Sequence, residues 1–103
     1  MADEQPGIEV VTDDDGVRRI TIDRADVGNS LSPLARDALA DAFLSADRDP
    51  AVRAVLLTAA GSRHFCTGAG LSADSRPAER RPGDIARLLQ QGWQRLIGAI
   101  LDC

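Results

Sequence analysis

The sequence predicts an α/β chain, and three observations carry that prediction. Two β-prone runs flank an acid-rich turn near the start. An amphipathic stretch follows Ser32-Pro33, and a nearly continuous apolar run spans Val52 to Ala59. Strand, helix and buried strand in that order describe a βαβ unit, whose crossover is expected to be right-handed.

Ile8 to Val11 and Val17 to Ile22 are the β-prone runs, joined by Thr12-Asp13-Asp14-Asp15-Gly16. Acidic turn residues ending in glycine between such runs predict a hairpin. Ser32 is placed to cap a helix and Pro33 to occupy its first position. Leu34, Ala35, Ala38, Leu39, Ala42, Phe43 and Ala46 then recur at three- and four-residue steps, an apolar stripe with Arg36, Asp37, Asp41 and Asp47 mostly off it. Asp49-Pro50 ends that helix near residue 47, because the residue before proline is pushed out of helical geometry. The run Val52–Ala59 reads as a strand covered on both faces.

Beyond this unit, residues 73–83 turn polar, with two prolines and three arginines, and predict a mobile surface loop. Asp84 can cap a last helix with apolar positions Ile85, Leu88, Leu89, Trp93, Leu96, Ile97, Ile100 and Leu101. Its broad apolar face and the open edge beside strand 52–58 both need partners. The expectation is therefore an incomplete domain, the front part of a larger α/β fold.

Composition narrows function mainly by exclusion. All 12 basic residues are arginine, so no lysine is available for a Schiff base or a phosphate loop. A net charge of −4 without a basic stripe argues against nucleic acid as a partner. No apolar stretch is long enough for a membrane span, and the acidic start MADEQPG lacks the pattern of a secretory signal. The two cysteines, Cys66 and Cys103, make no disulfide framework or metal motif, and a reduced, cytoplasmic setting is expected.

The stretch His64-Phe65-Cys66-Thr67-Gly68-Ala69-Gly70-Leu71-Ser72 raises the functional question, because small residues let backbone approach something closely. Gly68-Ala69-Gly70-Leu71-Ser72-Ala73 satisfies the dinucleotide pattern G-x-G-x-x-G/A. That motif works only where the first glycine ends a strand and the last opens a helix. Here eight residues separate Ala59 from Gly68, and Pro77 interrupts any sustained helix. A backbone bared of side chains can instead present N–H groups to a developing negative charge.

Three segments point to that second chemistry. Asp23–Leu31 (DRADVGNSL), Asp49–Thr58 (DPAVRAVLLT) and Phe65–Leu71 (FCTGAGL) resemble the crotonase, or enoyl-CoA hydratase/isomerase, superfamily, in its order and spacing. The resemblance runs from about Gly16 to Cys103 and implies that residues 1–103 are the N-terminal part of a crotonase-like domain, a ββα-type spiral start. It implies binding of acyl-CoA or enoyl-CoA, with coenzyme A entering as part of the substrate and no separate cofactor. By position, the Ala69 N–H matches the first of two oxyanion donors that hold the thioester carbonyl as it becomes enolate-like. Thr67, Gly68, Gly70, Leu71 and Ser72 match the stretch lining the CoA and acyl entrance. Val27, Gly28 and Ser30 match the CoA-contacting loop after the first long strand. Complete relatives are expected to form trimers or hexamers.

The sequence also departs from the family pattern. Gly70 stands where relatives commonly carry aspartate, and Asp23-Arg24-Ala25 replaces Asn-Arg-Pro. The second oxyanion donor and the acid/base glutamates have no counterpart, so a truncated, inactive hydratase-like chain is expected. A non-catalytic CoA-binding or interaction module and one piece of a split enzyme are the alternatives.

Other candidates have plainer explanations. Cys66 with His64 could be a nucleophile and its base, but nothing in the sequence orients the imidazole, and a small buried hydrophobe beside a surface histidine accounts for both. A metal at His64 lacks enough partners. Asp13, Asp14 and Asp15 lack the spacing of a calcium loop and read as a solvated turn. Arg76, Arg80 and Arg81 read as loop surface, while Arg24, at a strand end beside the CoA loop, is the better phosphate candidate. Trp93 is expected to pack under the last helix.

Overall fold

The hairpin begins with its turn. Asp13 Oδ1 accepts hydrogen bonds from the N–H groups of Asp15 (2.9 Å) and Val17 (3.0 Å), folding the acid run back on itself. Gly16 follows in the left-handed region (φ +86°), where a Cβ would lie 2.7 Å from the Ala51 carbonyl oxygen. The flanking strands β1 (Ile8–Thr12) and β2 (Val17–Ile22) pair antiparallel, with Ile8 opposite Ile22 and Val10 opposite Ile20. The computed structural model describes residues 6–68 and 92–103.

Helix α1 (Pro33–Arg48) starts as the sequence predicts, with the Ser32 hydroxyl accepting from the Ala35 N–H at 3.1 Å. It ends one residue later than expected, at Arg48, and the carboxylate of the following Asp49 accepts from the Ala51 N–H. Strand β3 (Ala54–Ala59) begins later than the apolar run, because the Val52 N–H closes a turn onto the Asp49 carbonyl. β3 pairs parallel to β2, with Ile20 opposite Leu57 and Ile22 opposite Ala59, giving the sheet order β1-β2-β3. With α1 between two parallel strands, the βαβ unit is in place.

The core lies on one face of that sheet. Ile20, Ile22, Leu39 and Phe43 are buried together with Leu96 and Ala99 of helix α2 (Gln94–Asp102). Burial of each large side chain contributes about 1.5–3 kcal/mol. Ile8, Val55, Leu57 and Ala59, all in register with the Ile20/Ile22 face, pack against this cluster. Arg18 ties the hairpin to the end of α1, reaching Thr12 Oγ1, Ser45 Oγ and the Asp49 carboxylate. Arg95 of α2 pairs with Asp41 of α1.

Two expectations need correction. β3 is not covered on both faces: among the described residues, both helices pack on the Ile20/Ile22 side, and Leu56 on the other is 50% exposed. The α1 stripe also turns differently, leaving Leu34 exposed and burying Arg36 to 8% exposure. The Arg36 guanidinium lies over the Trp93 ring, and Gly92, lacking a Cβ, leaves it room. A tryptophan face compensates a buried guanidinium in a way that an aliphatic neighbour cannot. The expected loop 73–83, the Asp84 cap and the helical positions Ile85, Leu88 and Leu89 lie outside the described residues.

Candidate functional site

Parallel pairing has a direct consequence for the site. β2 and β3 end side by side, so the loops that follow them share one edge of the sheet. The ladder runs one step past β3, the Ala60 N–H donating to the Ile22 carbonyl at 2.8 Å. After β2 the chain makes a 3₁₀ turn at Ala25–Val27, then two left-handed residues, Gly28 (φ 67°) and Asn29 (φ 57°). The Arg24 carbonyl accepts from both the Val27 and Asn29 N–H groups, which closes the turn.

Asn29 joins the two loops. Its side chain is buried, with the residue at 1% exposure. Oδ1 accepts from the Arg24 N–H at 2.9 Å, while Nδ2 donates to the carbonyls of Ala60 (2.9 Å) and His64 (2.7 Å). A carboxamide offers two N–H donors and one acceptor oxygen, and every one of these groups is used here. Sequence reasoning did not single out this residue, since its partners are 31 and 35 positions away. The only local signal is an asparagine following a glycine in a turn, where left-handed geometry suits it.

Of the predicted site residues, Gly28 and Thr67 lie beside one another, and Gly68 is tied to the loop that holds Gly28. A Cβ on Gly28 would sit 3.2 Å from Thr67 Cγ2, so glycine is what permits the approach. The Leu31 N–H donates to the Gly68 carbonyl at 2.8 Å, and Gly68 itself has φ 100°. Val27 and Ser30 stand apart from this contact: Val27 is 48% exposed, and the Ser30 carbonyl accepts from Arg24 Nε at 2.6 Å. Ala69, Gly70, Leu71 and Ser72 lie outside the described residues.

Between the loops lies a cleft of about 250 Å³, with Ala25, Asp26 and Gly28 on one side and Gly61, Arg63 and His64 on the other. Gly61 (φ +85°) is held close to the opposite wall, a Cβ there lying 3.0 Å from the Ala25 side chain. Asp26, Arg63 and His64, all exposed, give its lining a polar character.

The remaining candidates are placed as follows. Cys66 is half-buried against the core and His64 is exposed. Asp13 is committed to the hairpin turn through its carboxylate. Arg24 spends its Nε within its own loop; Arg76, Arg80 and Arg81 lie outside the described residues. β3 ends at Ala59, and residues 60–68 are neither helix nor strand, so Gly68 does not terminate a strand as the dinucleotide motif requires. Among the described residues, no helix is long and apolar enough to cross a membrane.

A hairpin, a parallel crossover and two fastened post-strand loops define an α/β protein, and comparison with known proteins makes that specific. The enoyl-CoA hydratase/isomerase family model matches residues 12–100, and the chain belongs to this family. The (E)-benzylidenesuccinyl-CoA hydratase of Thauera aromatica is 30% identical over 90 residues, covering 82% of this chain and 35% of that protein. The crystal structure of an enoyl-CoA hydratase from Mycobacterium smegmatis superposes with a TM-score of 0.78 at 31% identity, covering 93% of this chain and 36% of the other. An enoyl-CoA hydratase from Mycobacterium avium subsp. paratuberculosis K-10 gives 0.69 at 34% identity, covering 91% and 31%. The chain thus spans about a third of the length of these relatives.

Proposed function

We propose that these residues form the thioester-facing part of an acyl-CoA site. One observation carries the reading: Gly28 packs on Thr67 and the Leu31 N–H bonds to the Gly68 carbonyl. Two segments that resemble the family's CoA-contacting and oxyanion segments therefore meet at one sheet edge. In this proposal Val27, Gly28 and Ser30 face the CoA moiety. Thr67, Gly68, Gly70, Leu71 and Ser72 line the acyl entrance, and the N–H of Ala69 donates to the thioester carbonyl. The relative from Thauera aromatica, named as a hydratase of a CoA thioester, supports that substrate class.

The chemistry follows from charge. Hydration of an enoyl thioester adds hydroxide at the β carbon and a proton at the α carbon, and negative charge gathers on the thioester oxygen between the two events. Donors aimed at that oxygen stabilise it, and loss of one typically costs about 10²–10³ in rate. Residues 1–103 by themselves, with one proposed donor, are expected to bind acyl-CoA and to hydrate it far more slowly than a full-length relative. Calorimetry with CoA and a hydration assay with a short enoyl-CoA test this together. Turnover within tenfold of a full-length relative, or no CoA binding at all, would overturn the reading.

A second reading, one part of a split enzyme, is favoured by β3. It is the edge strand of the described sheet, and Leu56 is half-exposed on its outer face. A separate polypeptide adding a strand there could bring a second donor and proton-transferring glutamates. Mixing the chain with a C-terminal fragment of a relative should then restore hydration, and unchanged inactivity would count against it.

A further inference from the structure

We infer that Asn29 is a positioning residue of the proposed acyl-CoA site: its buried carboxamide sets the separation of the two loops between which the ligand lies. The inference rests on the function proposed above and names what holds that site in shape. Three features support it. Asn29 is 1% exposed in a left-handed conformation that asparagine tolerates. Its three side-chain hydrogen bonds reach Arg24 in one loop and Ala60 and His64 in the other. They bracket the cleft, because the two carbonyls lie at either end of the Ala60–His64 wall.

The remaining links between the loops constrain less, and the Ala60 N–H to Ile22 carbonyl bond fixes only the start of the second loop. Gly28 against Thr67 is van der Waals contact, which limits approach but does not oppose separation. Leu31 N–H to the Gly68 carbonyl is a single bond at the far end. Asn29 alone among these holds both ends of the Ala60–His64 segment to a point in the β2 loop. A hydrophobic residue of similar size would leave one N–H and two carbonyls, all part-buried, without these partners. The loops would then open to let water reach them, and Thr67 and Gly68 would move with the second loop.

Two variants separate this role from general stability. Asn29→Asp keeps the shape and the acceptor for the Arg24 N–H, but turns a carboxylate oxygen toward two carbonyls. Asn29→Gly accepts the left-handed backbone without strain and removes all three bonds. Leu39→Ala, a core cavity in α1 outside both loops, serves as the destabilised control. The readouts are CoA affinity by calorimetry, corrected for the folded fraction, and hydrogen exchange at the Leu31 amide. Both Asn29 variants should weaken CoA by about tenfold or more and speed Leu31 exchange by about tenfold. Leu39→Ala, compared with the parent relative to global stability, should leave both within about twofold. Parent-like CoA affinity in both Asn29 variants overturns the inference, whether or not Leu31 exchange changes. Failure of the functional reading is seen separately, as absence of CoA binding by the parent, and it takes this inference down with it.

Discussion

The guanidinium of Arg36 lies 5.4 Å from the centre of the Trp93 ring, joining the first turn of α1 to the residue before α2. Arg36 is buried, and its Nε also meets the half-exposed Asp37 carboxylate at 3.0 Å. An ion pair to so exposed a carboxylate contributes little, so the aromatic face is the more important partner. Arg36→Met, which keeps the stem, and Trp93→Leu are each expected to cost about 1–2 kcal/mol. A double-mutant cycle in urea should give a coupling of about 1 kcal/mol. Additivity of the two substitutions would show that the ring and the guanidinium merely adjoin.

Gly92 makes that arrangement possible. A Cβ there would run into the Arg36 guanidinium, so Gly92→Ala is expected to push that flexible group off the Trp93 ring and to destabilise by about 1 kcal/mol, the worth of the cation–π contact. Removing the obstacle should reverse the sign. In an Arg36→Ala background, the same substitution is expected to be neutral or stabilising. Thermal denaturation of the four proteins decides it, and an equal loss in both backgrounds would contradict the steric account.

These contacts mark where sequence reasoning stopped. Ser32-Pro33 and Asp13 to Gly16 were legible because their bonds close within four residues, and local chemistry determines them. The parallel pairing of β2 with β3 was legible from an apolar run separated from β2 by a helix. Arg36 was misplaced because a buried arginine needs a partner, and its partner is Trp93, far along the chain. Leu56 shows a different limit: its apolar character signals a face suited to cover, without saying what covers it. Gly28 and Thr67, which the family resemblance assigns to separate segments of one site, lie beside one another. The asparagine that fastens their loops was invisible, since its bonds run to main-chain groups that any residue would supply.

The acid run offers a direct comparison of turn and metal chemistry. Asp13, exposed like Asp14 and Asp15, is the one whose carboxylate accepts two backbone N–H bonds. Asp13→Ala should therefore cost about 1 kcal/mol, with Asp14→Ala and Asp15→Ala each within about 0.5 kcal/mol of the parent. Calcium should leave the melting temperature unchanged. A melting temperature that rises with millimolar calcium, or equal losses in all three variants, would restore the metal reading.

Gly28 gives the most direct test of the loop contact. Its φ of 67° disfavours any residue with a Cβ, and the space beside it is taken by Thr67, whose Cγ2 and Oγ1 would lie 3.2 and 3.3 Å from that Cβ. Gly28→Ala should therefore lose about 1–2 kcal/mol from backbone strain, with a further loss from crowding. Thr67→Ser removes the nearer methyl group. The double variant should recover the crowding part and leave the strain, so that its stability falls between those of Gly28→Ala and the parent. If the loop faces CoA as proposed, Gly28→Ala should also weaken CoA about tenfold, with part of that loss recovered in the double variant. Full recovery of stability by Thr67→Ser would show that space, and not the left-handed backbone, is what reserves this position for glycine.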